Sequence, residues 1–341
     1  NRTAGDNKQR VTAWQVARDA AVSQSAVSRA FAGGSGVSDA TRARIFAAAK
    51  RLGYQPNALA RGLITRRSGI VGVVISGLDN PFLSDALERL SRKLRDVGLR
   101  PFLMAADSRR DVGAAVPELE QYRVDGCFVI SPHLSRRVAE RYRDLGSTVL
   151  LFNRSVPGLR TASVSIDNVA AGRSVADFLA AEGHRRIAYL HGMRGSATDH
   201  DRFAGFSERL ADLGAALTEA GWGGFSYQSA SDALIELMRH TPRPTAIFCA
   251  NDVMAMGVMD AARHVLGLRV PDDLSIVGFD DAAPAAWPSY DLTTVRQPVD
   301  AMINAGIAMM QAHGGEPPAR PERAVMAGEI VVRGSTLTPA T

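Results

Sequence analysis

The chain has 341 residues, a length that predicts two or three domains and not one hydrophobic core. Its hydrophobic share of 46% and charged share of 22% are typical of a globular protein, and no apolar run approaches the roughly 20 residues that cross a bilayer. These values exclude a disordered or membrane-spanning chain, and without a charged-then-apolar leader we expect a soluble cytoplasmic protein. Cys127 and Cys249 lie in apolar runs without metal-ligand spacing, which indicates two buried thiols.

Positive charge is concentrated at the start of the chain. Residues 1–70 contain twelve Lys and Arg against three Asp and Glu, a balance of +9, whereas the whole chain carries +5. The remaining 271 residues therefore carry −4. A basic head on an acidic body is typical of a nucleic-acid-binding module joined to a second domain.

The head begins with polar residues 1–10, where we expect a disordered arm, and continues as two short helices over residues 11–31. Thr12 and Gln15 have the spacing of a capping box, which predicts the start of the first helix. The residues expected on its buried face are Trp14, Val16 and Ala17. Ser23 is a good N-cap for the second helix.

The second helix carries small polar residues and an arginine on its expected outer face. Val27 and Phe31 are i, i+4 apolar partners that point to the core, which leaves outside Gln24, Ser25, Ser28 and Arg29. A turn followed by such a helix is the form that enters the DNA major groove. Ser38 and Gly53 predict the two ends of a third helix, and residues 57–64 predict a short one that folds only when something holds it.

From Ile70 onward, apolar strand-like runs alternate with amphipathic helical stretches. The strand-like runs are residues 71–76, 101–105, 126–131, 149–153, 187–191, 246–250 and 274–279. Continuous apolar strands separated by helices predict parallel sheets covered on both faces, and their number predicts two sheets in two subdomains. The fold class is therefore α/β, with an all-α head and a core of two parallel-sheet subdomains. Ligands of such cores bind at the carboxyl ends of the strands.

An ordered series of motifs carries a family likeness over about residues 10–335. In the head, after residues 11–31, the motifs are Val37-Ser-Asp-Ala-Thr-Arg42, Leu52-Gly-Tyr-Gln-Pro-Asn57 and Leu59-Ala-Arg-Gly-Leu63. In the core they are Asn80-Pro-Phe82, Val124-Asp-Gly126, Ile166-Asp-Asn168, Arg202-Phe-Ala-Gly-Phe206, Asn251-Asp-Val-Met-Ala-Met-Gly257, Val277-Gly-Phe-Asp-Asp281 and Leu292-Thr-Thr-Val-Arg-Gln-Pro298. This series resembles the LacI/GalR family of bacterial transcription regulators.

The resemblance implies a domain order and a homodimer on a pseudo-palindromic DNA operator. The implied segments are a helix-turn-helix domain (11–56), a hinge helix or linker (57–68) and a core for effector binding and dimerisation (69–341). The implied core consists of two Rossmann-like subdomains and is periplasmic-binding-protein-like. Within the core, the implied N-subdomain covers about 69–167 and 297–325, and the C-subdomain covers about 168–296 and 326–341. The chain departs from the family at Ala21, where glycine is usual, and after Arg333, where no heptad repeat follows, so we expect a dimer and no tetramer.

By the resemblance, base edges are read at the start of the second helix, with Arg29 on phosphate or guanine. Leu63 matches the family position whose leucine enters the minor groove at the operator centre and bends the duplex. The predicted DNA contacts are Thr12, Ser23, Gln24, Ser25, Ala26, Ser28, Arg29, Asn57, Ala60, Arg61 and Leu63. The alternatives are a solvated helix face for the residues of the second helix, simple capping for the expected phosphate contacts, and packing on its own hinge for Leu63.

The effector is expected in the cleft between the subdomains, where Arg202 and Asp280 would meet and hold a polyol. The predicted contacts are Asn80, Phe82, Asn153, Thr198, Arg202, Phe225, Asn251, Asp280 and Trp287. The alternatives are a helix cap for Asp280, a structural ion pair for Arg202 and core packing for the three aromatic residues. The set favours a sugar or sugar derivative, with a nucleobase or another metabolite as the alternative because Phe225 can stack on a planar ring.

The sequence thus predicts a sequence-specific DNA-binding transcription regulator, in this family most often a repressor, that acts at the nucleoid under the control of a small molecule. A solute-binding protein of the same core fold is the first alternative, and the basic head argues against it. An enzyme is the second, but no Gly-x-Gly-x-x-Gly follows a strand, and no Gly-x-Ser-x-Gly elbow accompanies Ser196, Asp199 and His200. We expect no catalysis, cofactor or metal, and a surface or strand-end place for His184 and His191.

Overall fold

The computed structural model describes most of the chain, in two compact units, Asn1–Gly69 and Ile70–Thr341. The described residues are 11–32, 36–54, 67–106, 112–131, 136–144, 147–154, 156, 161–313, 316, 318, 320 and 322–337. The expected arm at residues 1–10 and the expected hinge helix over residues 57–64 lie outside this set.

The described residues of the first unit form the first three helices that the sequence predicts: α1 (Ala13–Asp19), α2 (Gln24–Ala32) and α3 (Asp39–Leu52). Their ends are confirmed where side chains satisfy free backbone groups. Thr12 and Gln15 form the complete capping box, and the Ser23 hydroxyl accepts the Ala26 N–H at 3.2 Å. Ser38 caps α3, which ends at Gly53 in the left-handed conformation.

The core of the first unit is made by small and β-branched side chains on the facing sides of the three helices. Its buried members are Val16, Ala17, Ala20, Val27, Ala30, Ile45, Ala48 and Ala49. The expectation that Trp14 belongs to this face is wrong, because its side chain is 63% exposed. Trp14 precedes Val16 by two residues, which places it about 200° away around the helix.

The turn between α1 and α2 bends at Ala21, whose φ is +51°. This is the left-handed region that glycine enters without cost and other L-residues rarely adopt. The place where the chain departs from the usual glycine is therefore a place of backbone strain.

We predict that Ala21→Gly stabilises the helical unit by about 0.5–1 kcal/mol, because relief of the left-handed strain exceeds the added chain entropy. Hydrogen–deuterium exchange of the α1 and α2 amides in the full chain measures the change. Ala47→Gly is the control, since Ala47 is exposed inside α3 and glycine there costs about 1 kcal/mol. Equal destabilisation by both variants would contradict the strain at Ala21.

The second unit contains two parallel sheets, as expected from the apolar runs. Their strands are β1 (Ile70–Ile75), β2 (Arg100–Ala105), β3 (Gly126–Ile130), β4 (Thr148–Phe152), β5 (Ala162–Ile166), β6 (Arg186–His191), β7 (Ala216–Trp222), β8 (Ala246–Cys249), β9 (Ser275–Val277) and β11 (Glu322–Met326). The larger sheet has the strand order β11–β5–β4–β3–β1–β2, and the smaller sheet has the order β7–β6–β8–β9. A third, two-stranded antiparallel sheet pairs β10 (Thr294–Arg296) with β12 (Glu329–Val331).

Helices accompany the two parallel sheets. They are α4 (Pro81–Asp96), α5 (Ala115–Tyr122), α6 (Arg136–Arg143), α7 (Asn168–Ala181), α8 (Ala197–Asp212), α9 (Tyr227–Leu237), α10 (Asp252–Asp260) and α11 (Val299–Ala312). Short 3₁₀ turns cover Val112–Ala114 and Ala283–Ala286, and a π-helical turn at Ala261–Val265 follows α10. No helix among the described residues is long and apolar enough to cross a membrane.

All seven strand-like runs of the sequence appear as strands, and five further strands were missed. The strands β3 and β4 are buried along their whole length, which explains their continuous apolar runs. The edge strands β7 and β11 expose about every second residue or more, so polar side chains interrupt the apolar pattern that predicts a strand.

The chain passes three times between the two parallel sheets. The passages join β5 to α7, β10 to α11 and β11 to β12. Because β10 and β12 pair with each other, two of the three passages are tied together beside the smaller sheet. These passages are the connections that relative movement of the sheets would bend.

Candidate functional site

A cavity of about 600 Å³ lies where the carboxyl ends of strands from both parallel sheets meet. Eight of the nine residues predicted to contact an effector line it: Asn80, Phe82, Asn153, Thr198, Arg202, Phe225, Asn251 and Asp280. Trp287 does not line it, and its side chain is 55% exposed directly after the 3₁₀ turn Ala283–Ala286. The turn carries the chain away from the end of β9 before Trp287 is reached.

The Arg202 guanidinium is fixed by groups that are not carboxylates. Its Nε donates to Asn168 Oδ1 at 2.8 Å, its Nη1 donates to the Ala250 carbonyl at 2.5 Å, and its Cζ lies 3.4 Å from the centre of the Phe279 ring. Only 2% of the residue is exposed. Burial lowers the pKa of Arg202, and the nearby charge of Asp280 opposes this effect. The structural ion pair considered for Arg202 is therefore not what holds it.

Asp280 brings a buried carboxyl group to the same cavity, where it is 6% exposed. Its Oδ1 accepts from Gln297 Nε2 at 2.7 Å. Burial raises the pKa of this carboxyl to about 7, against the opposing effect of Arg202. A carboxyl group that titrates near neutral pH can donate as well as accept hydrogen bonds. The alternative that Asp280 caps the following turn is wrong, because that 3₁₀ turn has no side-chain cap.

Backbone strain accompanies this placement. Asp280 has a φ of +126°, a conformation that costs a residue other than glycine about 1–3 kcal/mol. Its N–H donates to the Val295 carbonyl at 2.9 Å, so the strained residue is tied to β10. Strain of this size persists only where the surroundings hold it, and it is common at ligand-binding positions.

Three asparagines add groups that both donate and accept. Asn80 and Asn251 cap α4 and α10 through their side-chain oxygens, accepting from Phe82 N–H and Met254 N–H at 3.0 Å each. Capping through oxygen keeps the amide NH₂ of each side chain as a donor. Asn153 directly follows β4 with a φ of +58°, and its buried Oδ1 has no protein partner.

Two aromatic rings line the cavity from opposite sheets. Phe82 opens α4 and is buried with the apolar core, so lining and core packing are compatible roles for it. Phe225 has a φ of +58° and follows β7. Its ring lies against Gly192, where an added Cβ would come within 2.1 Å of the ring. Residue 192 must therefore be glycine for Phe225 to hold this position.

Two buried polar side chains at this site, one in the cavity lining and one bonded to Asp280, were not identified from the sequence. Arg154 is buried and lines the cavity, and its Nη1 donates to the Ser131 carbonyl at 2.7 Å. Its Nε has no partner, and burial lowers its pKa to about 10. Gln297 holds Asp280 from the end of β10 while its own Oε1 stays unpaired. Arg154 lies two residues after β4 and Gln297 directly follows β10, and a place just after a strand is a signal that could have identified them.

Both histidines that the sequence assigned to a surface or a strand end are buried. His191 does end β6, but its Nδ1 lies 3.1 Å from Asp199 Oδ2 and its ring stacks on Trp222. His184 Nδ1 lies 2.9 Å from the Thr245 hydroxyl. The surface assignment is wrong because hydrogen bonds and ring packing replace water at both imidazoles.

In the first unit, α2 presents the residues predicted to read DNA. Gln24, Ser25, Ser28 and Arg29 are exposed and Ala26 is half-buried. The capping residues Thr12 and Ser23 lie at the helix starts described above. The remaining predicted contacts lie outside the described residues: Asn57, Ala60, Arg61 and Leu63.

Both units of the chain are similar in sequence to known protein families. Residues 14–57 match the description "Bacterial regulatory proteins, lacI family", and residues 176–336 match "Periplasmic binding protein-like domain". The regulator CelR of Thermobifida fusca is 30% identical over 97% of this chain and 99% of its own length. The chain belongs to the lacI family. The repressor PurR of Yersinia enterocolitica is 32% identical over 88% of this chain and 89% of its own.

Solved structures of the lacI family agree with the fold. The lac repressor dimer bound to operator and the anti-inducer ONPF matches with a TM-score of 0.84 and 27% identity, over 97% of this chain and all of that one. The CelR–cellobiose complex matches with a TM-score of 0.71 and 29% identity, over 96% of this chain and all of that one. The resemblance is confirmed: this lacI-family protein is an effector-controlled DNA-binding transcription regulator and not an enzyme.

The raised pKa of Asp280 predicts how stability depends on pH. A carboxyl group whose pKa is about 7 folded and 3.8 unfolded adds stability that is complete below pH 3.8 and is lost as pH rises through 7. Asp280→Asn should therefore lose less stability than the wild type between about pH 4 and pH 8. Urea unfolding followed by circular dichroism measures this difference.

A second buried carboxyl group also contributes to the pH dependence of stability. Burial raises the pKa of Asp252 to about 6, so Asp280→Asn reduces the pH dependence without removing it. Thr198→Val is the matched control, because Thr198 lines the same cavity and does not ionise. If Asp280→Asn and Thr198→Val both kept the full wild-type pH dependence, the buried titration of Asp280 would be refuted.

Proposed function

We propose that the effector of this lacI-family regulator is a sugar or sugar derivative, bound between the two parallel sheets. We also propose that the protein acts as a homodimer, represses transcription from a pseudo-palindromic operator, and works in the cytoplasm at the nucleoid. The observation that carries the effector proposal is the cavity in which Arg202 and Asp280 converge between two aromatic rings.

The chemistry of the lining favours a ring that carries several hydroxyl groups. A hydroxyl both donates and accepts, and the cavity offers donors on Arg202, acceptors on Asp280 and mixed groups on Asn80, Asn153 and Asn251. Phe82 and Phe225 supply apolar faces for the C–H side of such a ring. The volume of about 600 Å³ lies in the usual range for small-molecule sites. The complex of the relative CelR with cellobiose supports a sugar for this chain as well.

A planar base is the second candidate, and one observation favours it. Phe225 is held in a fixed orientation against Gly192, and a fixed ring suits stacking on a nucleobase. The three asparagines of the lining both donate and accept hydrogen bonds, which suits the hydroxyl groups of a sugar. The sugar is therefore the stronger proposal.

Control by the effector would act through the three passages between the sheets. A sugar that contacts both sheets favours one distance between them, and only such differential affinity moves a conformational equilibrium. In this proposal the changed cleft alters how the two heads of a dimer meet the operator. The segment 57–68, with Leu63 in the minor groove at the operator centre, then folds or does not fold on DNA.

On the DNA side, we predict that Gln24→Ala weakens binding to the operator about tenfold or more while binding to random DNA is unchanged. The reason is that a glutamine–base contact carries discrimination of about 1–3 kcal/mol, whereas phosphate contacts carry the non-specific affinity. The operator is obtained by selection from a random DNA library with the wild type. Fluorescence anisotropy then measures both affinities.

Gln228→Ala is the control for this measurement, because Gln228 is exposed on α9 of the second unit. It should leave both affinities unchanged. Equal losses on operator and random DNA for Gln24→Ala would show that α2 does not read bases. Failure of the selection to enrich any sequence would contradict specific binding altogether.

For the effector, we predict a saturable thermal shift of the full chain with one class in a panel of D-ribose, D-galactose, cellobiose, D-gluconate, glucose 6-phosphate and hypoxanthine. A compound at a hundred times its Kd adds about 2.7 kcal/mol of stability. The shift should disappear in Asp280→Ala, which removes the buried carboxyl group.

Asp291→Ala is the matched control, since Asp291 is an exposed aspartate whose φ is also positive, at +45°. It should keep the shift. A shift with hypoxanthine alone would favour the second candidate, and a shift that survives Asp280→Ala would remove the cavity from the proposal.

A further inference from the structure

The residue after Asp280 is strained as well. Asp281 has a φ of +56°, so two consecutive aspartates occupy the region of positive φ. The strained pair lies at the point where the Asp280 carboxyl group enters the cavity. Neighbouring groups must hold this backbone, because unsupported residues leave such conformations.

The Asp281 carboxylate is gripped from two sides. Its Oδ1 accepts from Arg333 Nη2 at 2.6 Å and its Oδ2 accepts from Arg296 Nε at 2.7 Å. The side chains of Asp281 and Arg333 are only 12% and 14% exposed. The charge-assisted hydrogen bond to Arg333 is short and sheltered, so it is stronger than an exposed ion pair. The bond to Arg296 is less sheltered, because the Arg296 side chain is 48% exposed.

The two arginines are themselves anchored. Arg333 Nη1 donates to the Leu292 carbonyl at 2.7 Å, and its N–H donates to the Thr293 hydroxyl at 2.9 Å. Arg296 belongs to β10, and its Nη1 lies 3.5 Å from Glu329 of β12. The two arginines that hold Asp281 are therefore anchored at or beside the paired strands β10 and β12, which belong to two of the passages between the sheets.

None of these three residues lines the cavity. We propose that Asp281, Arg296 and Arg333 form a clamp that positions Asp280, by holding the strained backbone so that its carboxyl group points into the cavity. The clamp rests on the proposed function, since it sets the affinity for the sugar without touching it. It also connects the sugar site to β10 and β12, so closure of the cleft and the position of Asp280 change together.

The first test needs no sugar. Hydrogen–deuterium exchange of the full chain is compared for the wild type, Asp281→Asn and Arg333→Met. Asparagine keeps the shape and tolerates positive φ, so this variant removes only the charge. Exchange of the amides of residues 280–282 should become faster, while β6 and β8 keep their protection. Unchanged exchange at 280–282, or a rise that spreads equally to β6 and β8, would overturn the clamp.

Asp291→Asn is the matched control for Asp281→Asn. Asp291 has a positive φ and accepts from the Gly334 N–H at 3.0 Å, next to Arg333, but belongs to no ion pair with it. It should leave the exchange of residues 280–282 unchanged. Arg333→Lys, which restores the positive charge, should recover part of the protection that Arg333→Met loses.

The second test uses the sugars D-ribose, D-galactose and cellobiose in a double-mutant cycle measured by calorimetry. Asp281→Asn should weaken binding on the order of tenfold in the wild-type background and not at all in Asp280→Asn. Equal weakening in both backgrounds, or none in either, would overturn the clamp. If the wild type binds none of these three sugars, nor D-gluconate or glucose 6-phosphate, the proposed sugar function fails, and the exchange experiment alone decides the clamp.

Discussion

The cavity depends on the burial of a guanidinium and a carboxyl group beside each other, because each loses its hydration there and needs polar partners from the protein. Arg202 receives an amide and a carbonyl oxygen, and Asp280 receives the Gln297 amide. These partners come from α7, from the end of β8 and from the passage after β10. The site therefore exists only when both parallel sheets and the passages between them are in place, which ties ligand chemistry to the arrangement of the whole second unit.

The same constraint explains why charge and strain occur together. A carboxyl group directed into a dry cavity is unfavourable on its own, and a positive φ at the same residue adds to the cost. The structure offsets both with hydrogen bonds from β10 and its neighbours. Since β10 also belongs to a passage between the sheets, a group that relieves the buried charge also acts on the segment that movement of the sheets would bend. Binding and conformational change then share one set of residues.

Much of the architecture could be predicted from local patterns. The capping residues Thr12, Ser23 and Ser38 correctly predicted where the three helices start. Unbroken apolar runs correctly predicted buried strands such as β3 and β4. The edge strands β7 and β11 were missed because half-exposed strands carry polar residues. Trp14 was misplaced because hydrophobicity alone does not give its angle around the helix. Arg154 and Gln297 were missed because their role depends on distances across the cavity, which no local pattern contains.

The contact between Gly192 and the Phe225 ring gives this cavity a wall that can be adjusted separately from its polar groups. A single methyl group at residue 192 would displace the ring and change the room above it, while Arg202, Asp280 and the asparagines would keep their hydrogen bonds. In the proposed effector site, shape selectivity and hydrogen-bond selectivity would thus depend on different positions of the sequence. A chain built this way can acquire a preference for a larger or smaller molecule by one substitution, which also makes residue 192 the natural starting point for turning the protein into a sensor for a chosen compound.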